Sequence, residues 1–297
     1  MSRRNLATLD RDIGQMIGRP LQEAMAHGIT NDMIYGGLLT GQTALQGLRS
    51  VSATQNCLYG TRRVTWDGDV FRYAHPDATS AAATIYLVRP GMGCKNGHDP
   101  GFIAVTGGVV NARAVGDSTL NILLDATTGA AGWFGTAYNM VGARVVLAGM
   151  NPVQQYRIIA HGVGATGATI TITLDGEIPA IIAATTMIEI TPNAYTDVQG
   201  GGNDMTSIVG VPTAPMPTGY DGWIQTWGIL WVTPGITGIG EGTDDRTVVF
   251  HDDGSIHQSS DHTWGETDAH QYAGFVVHRS TAGAWANPPF IMLQISP

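Results

Sequence analysis

The chain has 297 residues, a net charge of −9, 43% hydrophobic residues and only 13% charged ones. That apolar share supports a packed core and excludes wholesale disorder. With 15 basic against 24 acidic side chains and no basic stripe, phosphate neutralisation is poorly served, which excludes a nucleic-acid binder.

Glycine is abundant, 40 residues, with 14 prolines, a balance that reads as short strands joined by tight turns. The length suggests about two domains. The charge is uneven: the first hundred residues carry ten basic and eight acidic side chains, whereas the remainder carry five and sixteen.

Residues 6–25 place Leu6, Leu9, Ile13, Met16, Ile17, Leu21 and Met25 at steps of three and four, a helical apolar stripe. Gly14, Gly18 and Pro20 interrupt it. A second weakly helical patch covers 31–47. Residues 1–55 therefore read as a partly helical N-terminal arm, which either packs on its own chain or reaches a neighbouring subunit. No apolar run follows Met1-Ser-Arg-Arg, so no secretory signal is expected.

From about residue 55 the period changes to two. Thr61–Trp66 and Val70–Tyr73 flank Asp67-Gly68, a hairpin signal. Arg144–Leu147, Tyr156–Ile159 and Thr169–Leu174 read as strands, and Ile181–Ile190 is read the same way. The apolar stretch Ile178–Ile188 is too short for a bilayer, which needs about 20 residues, so no membrane partner is expected. Val211–Pro217 holds three prolines and must be extended, which puts a domain boundary there. Beyond it come Trp223–Val232, Arg246–Phe250, the turn Asp253-Gly254, Ala273–Val277 and Phe290–Ile295. The fold class is mainly β: a β-rich domain over 56–210 and a small C-terminal β-barrel over 211–297, each a barrel or sandwich.

Motifs for chemistry are incomplete. The single lysine, Lys95, precedes Asn96, so there is no Walker loop, and neither a G-x-S-x-G elbow nor an H-E-x-x-H helix occurs. Gly200-Gly201-Gly202-Asn203 lacks the strand–turn–helix setting of a dinucleotide site. His251, His257, His262, His270 and His278 lie among Asp252, Asp253, Asp261, Glu266 and Asp268, but their spacing fits no zinc motif and suits a polar loop. Cys57 and Cys94 are read as reduced thiols; with His98 they fall short of a four-ligand site. Glu241, Asp244, Asp245, Asp252 and Asp253 offer either a calcium site or a solvated acidic loop, in the absence of the EF-hand order. No two carboxylates are singled out as a glycosidase pair. No catalytic residue, cofactor or metal is therefore assigned, and no enzyme activity is expected. Trp223, Trp227 and Trp231, at steps of four in one strand, are expected to project to one face. That face would serve as a sugar platform, a core or a subunit interface.

Gly222-Trp-Ile-Gln-Thr-Trp-Gly-Ile-Leu-Trp-Val232, Asp245–Phe250, Asp253-Gly254, Ala273–Val277 and the hydrophobic last strand together resemble the β-barrel layout of tailed-phage capsid decoration and head-stabilising proteins. Tyr59–Ala74 resembles a segment of structural head proteins of environmental tailed phages. The resemblance covers roughly 58–75 and 208–297. It implies a virion structural protein, made in the host cytoplasm, that cements or decorates the head by binding the major capsid protein lattice. A host-surface or glycan-binding spike module is the alternative. A homo-oligomer, a trimer, is expected, with Leu6, Leu9, Ile13, Met16, Ile17, Trp223, Trp227 and Trp231 as interface residues.

Overall fold

A computed structural model of the chain describes residues 46–76, 88–97, 103–105, 112–124, 134, 140–148, 153–165, 167–183, 187–200, 207–236, 238–240, 246–261, 271–279 and 289–297. Residues 1–45 of the expected arm, with Leu6, Leu9, Ile13, Met16 and Ile17, lie outside them; its last ten residues, 46–55, are described and hold no helix, and Ser52 bridges to Asp221 of the same chain. The fold is mainly β, with 48% of the described residues in strands, arranged as two curled sheets that form half-barrels.

The strands follow in chain order: β1 (Arg62–Val64), β2 (Val70–Ala74), β3 (Cys94–Asn96), β4 (Ile103–Val105), β5 (Thr119–Leu123), β6 (Arg144–Ala148), β7 (Gln154–His161) and β8 (Thr169–Leu174). Next come β9 (Met187–Thr191), β10 (Val198–Gly200), β11 (Ile208–Pro212), β12 (Gly222–Trp231), β13 (Thr247–Phe250), β14 (Ile256–Gln258), β15 (Tyr272–His278) and β16 (Phe290–Gln294). A single 3-10 turn, Ser259–Asp261, is the one helical element among the described residues.

Contacts divide the chain into two units. The first takes in the described parts of Met1–Cys57, Thr61–Lys95 and Gln199–Pro297; the second is Leu58–Gly60 with Asn96–Val198. The proline-rich stretch 211–217 therefore lies within the first unit and not at a division. Its extended backbone is used for pairing instead: Val211 faces Gln225, Pro212 faces Ile224, and Met216 bridges to Val88. The chain leaves the first unit at β3 and returns to it at β10, so the second unit interrupts the first in sequence.

The second unit is a six-stranded antiparallel sheet in the order β4-β9-β6-β7-β8-β5. Strict alternation sets its inner face. In β8, Ile170, Ile172 and Leu174 are buried, while Thr169 and Thr171 are exposed. Val145, Leu147, Ile158, Ile188 and Ile190 join Leu120 and Ile122 in the same core. Each such side chain contributes roughly 1.5–3 kcal/mol on burial. The strand expected over Ile181–Ile190 is shorter: β9 begins at Met187, and Ile182 makes an isolated bridge to Arg113. Asn193 ties the short segment 58–60 into this unit, because its Nδ2 donates to Tyr59 O at 2.7 Å while its Oδ1 accepts from Tyr195 N at 3.2 Å.

The first unit carries the sheet β10-β3-β11-β12-β16-β15-β13-β14, with the β1–β2 hairpin added to β12 through β2. The hairpin turns at Asp67-Gly68, where Gly68 has φ +92°, a conformation glycine adopts without steric cost. One core of this unit is aliphatic apart from Phe250 and includes Val211, Val248, Ile256, Val276, Ile291 and Leu293. Beside β2 the packing is aromatic and polar. Tyr73 meets Trp223 edge-on at 5.1 Å between ring centroids, and the Arg63 guanidinium sits 5.5 Å above the Trp223 ring. Buried Gln46 gathers this region: its O accepts from Arg63 Nη1 at 2.9 Å and from Trp223 Nε1 at 3.3 Å, and its Oε1 accepts from Tyr73 OH at 2.8 Å.

Candidate interaction surface

The three tryptophans of β12 do not share one face. Against β2, Gln225 opposes Phe71 but Trp227 opposes Val70, so one extra residue is inserted and the alternation is reset. Trp223, before this bulge, is 1% exposed. Trp227 is half-buried, and Trp231 is 41% exposed. Gly228, just past the bulge, has φ +108°, and a Cβ there would fall 1.9 Å from an oxygen of Asp69. Only glycine lets the Asp69 carboxylate come this close, where it accepts the Ile229 N–H at 3.1 Å.

Past the bulge the register separates two faces. Gly228 opposes Leu293 and Leu230 opposes Ile291, which puts these on the core side. Directly opposed residues share a face, so Ile229 with Met292 and Trp231 with Phe290 lie on the other side. Phe275 of β15 opposes Met292 and extends that row. Tyr272 OH reaches Gln294 Oε1 at 3.0 Å. The result is an outer face on which Ile229, Trp231, Tyr272, Phe275 and Phe290 are each between 41% and 53% exposed. Soluble monomers rarely gather large apolar side chains this way, and such patches mark contact surfaces.

A groove of about 660 Å³ opens where β12 meets the β1–β2 hairpin. It is lined by Trp66, Trp231 and Phe290 and by Arg49, Asp67, Asp69 and Gln225. The hairpin is held by Thr65 N donating to Asp69 O at 2.9 Å, Gly68 N donating to Thr65 O at 3.0 Å, and the Thr65 hydroxyl on the Asp67 carboxylate. Burial pushes the Asp69 carboxyl above its ordinary range; the neighbouring Asp67 charge acts the same way, and the Ile229 N–H partly offsets both. Trp66, at the hairpin, is 76% exposed.

The remaining polar clusters are placed as follows. His251 stacks on His257 at 4.5 Å, and its Nδ1 lies 3.1 Å from Asp252 Oδ1 and 3.5 Å from Asp253 Oδ1. Asp253 Oδ1 also caps its turn by accepting Ser255 N at 2.8 Å. His262, His270, Glu266, Asp268, His98, Glu241, Asp244, Asp245 and the loop 201–203 lie outside the described residues. His75 Nδ1 lies 2.6 Å from Oδ1 of buried Asp221, joining the end of β2 to the start of β12. Cys94 is buried, and its thiol donates to Gly210 O at 3.2 Å; Cys57 is half-buried, and both thiols are free. Burial pushes the Cys94 thiol up to about 12 and raises that of Cys57.

Sequence reasoning named Trp231 for an interface together with Trp223 and Trp227, and it did not name Asp69, Ile229, Tyr272 or Phe275. The available signal was Trp-Asp-Gly at 66–68, which puts an aromatic side chain on a solvent-facing turn. Compared with known protein families, with curated proteins and with solved structures, the chain matches none.

Proposed function

We propose that the chain is a structural protein of a tailed-phage particle, which cements or decorates the head by docking on the major capsid protein lattice. The observation that carries this reading is the outer aromatic face of β12, β16 and β15. Tyr272, Phe275, Phe290 and Trp231 supply the rigid amphipathic side chains from which interface anchors are drawn. The residues of Tyr59–Ala74 and Gly222–Val232 that resemble phage head proteins support the same reading. The protein works by binding rather than by catalysis, its half-barrels complete small β-barrel domains, and it assembles as a homotrimer. The N-terminal arm, through Leu6, Leu9, Ile13, Met16 and Ile17, adds a second contact on the lattice, and the protein resides on the capsid surface.

The experiment mixes purified protein with particles stripped of it and follows co-sedimentation. Wild-type protein is expected to pellet with particles. A Tyr272→Asp/Phe275→Asp variant is expected to stay in the supernatant with its circular dichroism unchanged. Failure of the wild-type protein to associate overturns the proposal. Deleting residues 2–26 tests the arm: occupancy equal to wild type removes it from the mechanism.

A further inference from the structure

We infer that the groove between the β1–β2 hairpin and β12 binds an uncharged saccharide chain, a function beyond capsid docking, although Trp231 and Phe290 belong to both surfaces. Trp66 is the first reason. At 76% exposure it buries little of its own surface, so packing within the chain does not account for a tryptophan there. The hairpin hydrogen bonds nevertheless fix the backbone that carries it. Across the groove, the Trp231 ring lies against the backbone of residue 91, so close that a Cβ there would be 2.2 Å from Cζ3. Two indoles, one at the hairpin and one set by its packing, supply flat apolar surfaces for the C–H faces of sugar rings.

The polar groups suit hydroxyls. Asp69 Oδ1 accepts the Ile229 N–H, and a carboxylate has roughly four lone-pair sites, so acceptor capacity is left for a ligand. Gln225 Nε2 donates to Trp227 O at 3.1 Å and Ile229 O at 3.5 Å, which leaves its Oε1 as an acceptor. Arg49 supplies the donor. Two carboxylates, Asp67 and Asp69, and two guanidiniums, Arg49 and Arg63, in one groove disfavour an anion and a cation alike, whereas a hydroxyl both donates and accepts. A volume of about 660 Å³ falls within the roughly 300–1,000 Å³ typical of ligand sites. Binding is non-covalent and changes no bond.

The test is a titration of intrinsic tryptophan fluorescence in the full chain with maltohexaose, cellohexaose, xylohexaose and chitohexaose. At least one is expected to give a saturable change. Trp66→Ala is expected to weaken that binding by about tenfold, and Asp69→Asn to weaken it by less. Ile159→Ala, on the second unit, serves as the control and leaves it unchanged. Trp66 is exposed, so its variant keeps the fold, which circular dichroism verifies. Absence of any saturable change at about 10 mM, a Kd weaker than millimolar, overturns the proposal. So does binding that is unaltered in both Trp66→Ala and Trp231→Ala. No particles are present in the titration, so its failure leaves capsid docking standing, and failed co-sedimentation leaves the groove standing.

Discussion

The six-membered ring of Trp231 occupies the space that a side chain on residue 91 would need: a Cβ built on Gly91 would lie 2.2 Å from Cζ3 and 2.4 Å from Cη2. Gly91 also has φ +75°, so both its backbone and its neighbour demand glycine. Gly91→Ala should therefore cost more than the roughly 1–2 kcal/mol of left-handed strain alone. Gly68, with φ +92° and nothing within 4 Å of its Cβ position, should cost only that strain. Urea unfolding of the two variants compares the costs, and fluorescence reports the displaced indole in Gly91→Ala alone.

Ile158 and Ile159 are adjacent in β7 and face opposite ways, 0% and 54% exposed. Ile158→Ala should lose about 2–5 kcal/mol from the core of the second unit. Ile159→Ala should stay within about 0.5 kcal/mol of wild type. Thermal or urea denaturation followed by circular dichroism measures both.

Asn193 holds Tyr59 O and Tyr195 N with one amide, and its Nδ2 comes within 2.9 Å of a Cβ position on Gly142. Asn193→Ala should destabilise the second unit by about 1–3 kcal/mol, because the partners lose their hydrogen bonds. Hydrogen exchange should show the loss first at the Tyr195 amide.

Cys94 gives a pH dependence with a definite sign. Its folded pKa of about 12 exceeds the ordinary 9.0, so the native state retains a proton that the unfolded chain releases. Its contribution to stability is whole below pH 9 and declines as pH rises toward 12. Burial raises the Tyr73 hydroxyl too, which steepens the decline above its ordinary 10.0. Unfolding free energy measured across this window should fall less steeply in Cys94→Ala than in wild type. Native Cys94 should also resist alkylation, since the thiolate is the reactive form.

Local features were legible in the sequence where local physics decides them. Asp67-Gly68 produced its hairpin, and the Thr/Ile alternation of 169–174 gave β8 with its buried face. The strands expected over 144–147, 156–159, 246–250, 273–277 and 290–295 all occur, with ends shifted by one or two residues. The bulge in β12 escaped because a period-two pattern carries no mark of an inserted residue; Gly228 was its one visible hint. The division of the chain escaped for a different reason. Three prolines at 211–217 signal extended backbone, and extended backbone serves a pairing strand as well as a linker. The groove draws on residues near 49, 66, 91, 213, 231 and 290, which only tertiary pairing brings together.

The interruption of the first unit by the second has a consequence for synthesis. Phe71 pairs with Gln225, and Cys94 with Gly210, so both partnerships span the whole of Asn96–Val198. A ribosome adding about 5–20 residues per second needs about 5–20 s to make that intervening stretch. A hairpin such as β1–β2 closes in microseconds and then waits, with β2 and β3 presenting bare strand edges. The six-stranded sheet of the second unit, whose described strands pair only with one another, is completed during the wait. The nascent chain is thus finished from the inside outward, with β2 waiting for β12 and β3 for β11 until the intervening unit has been made.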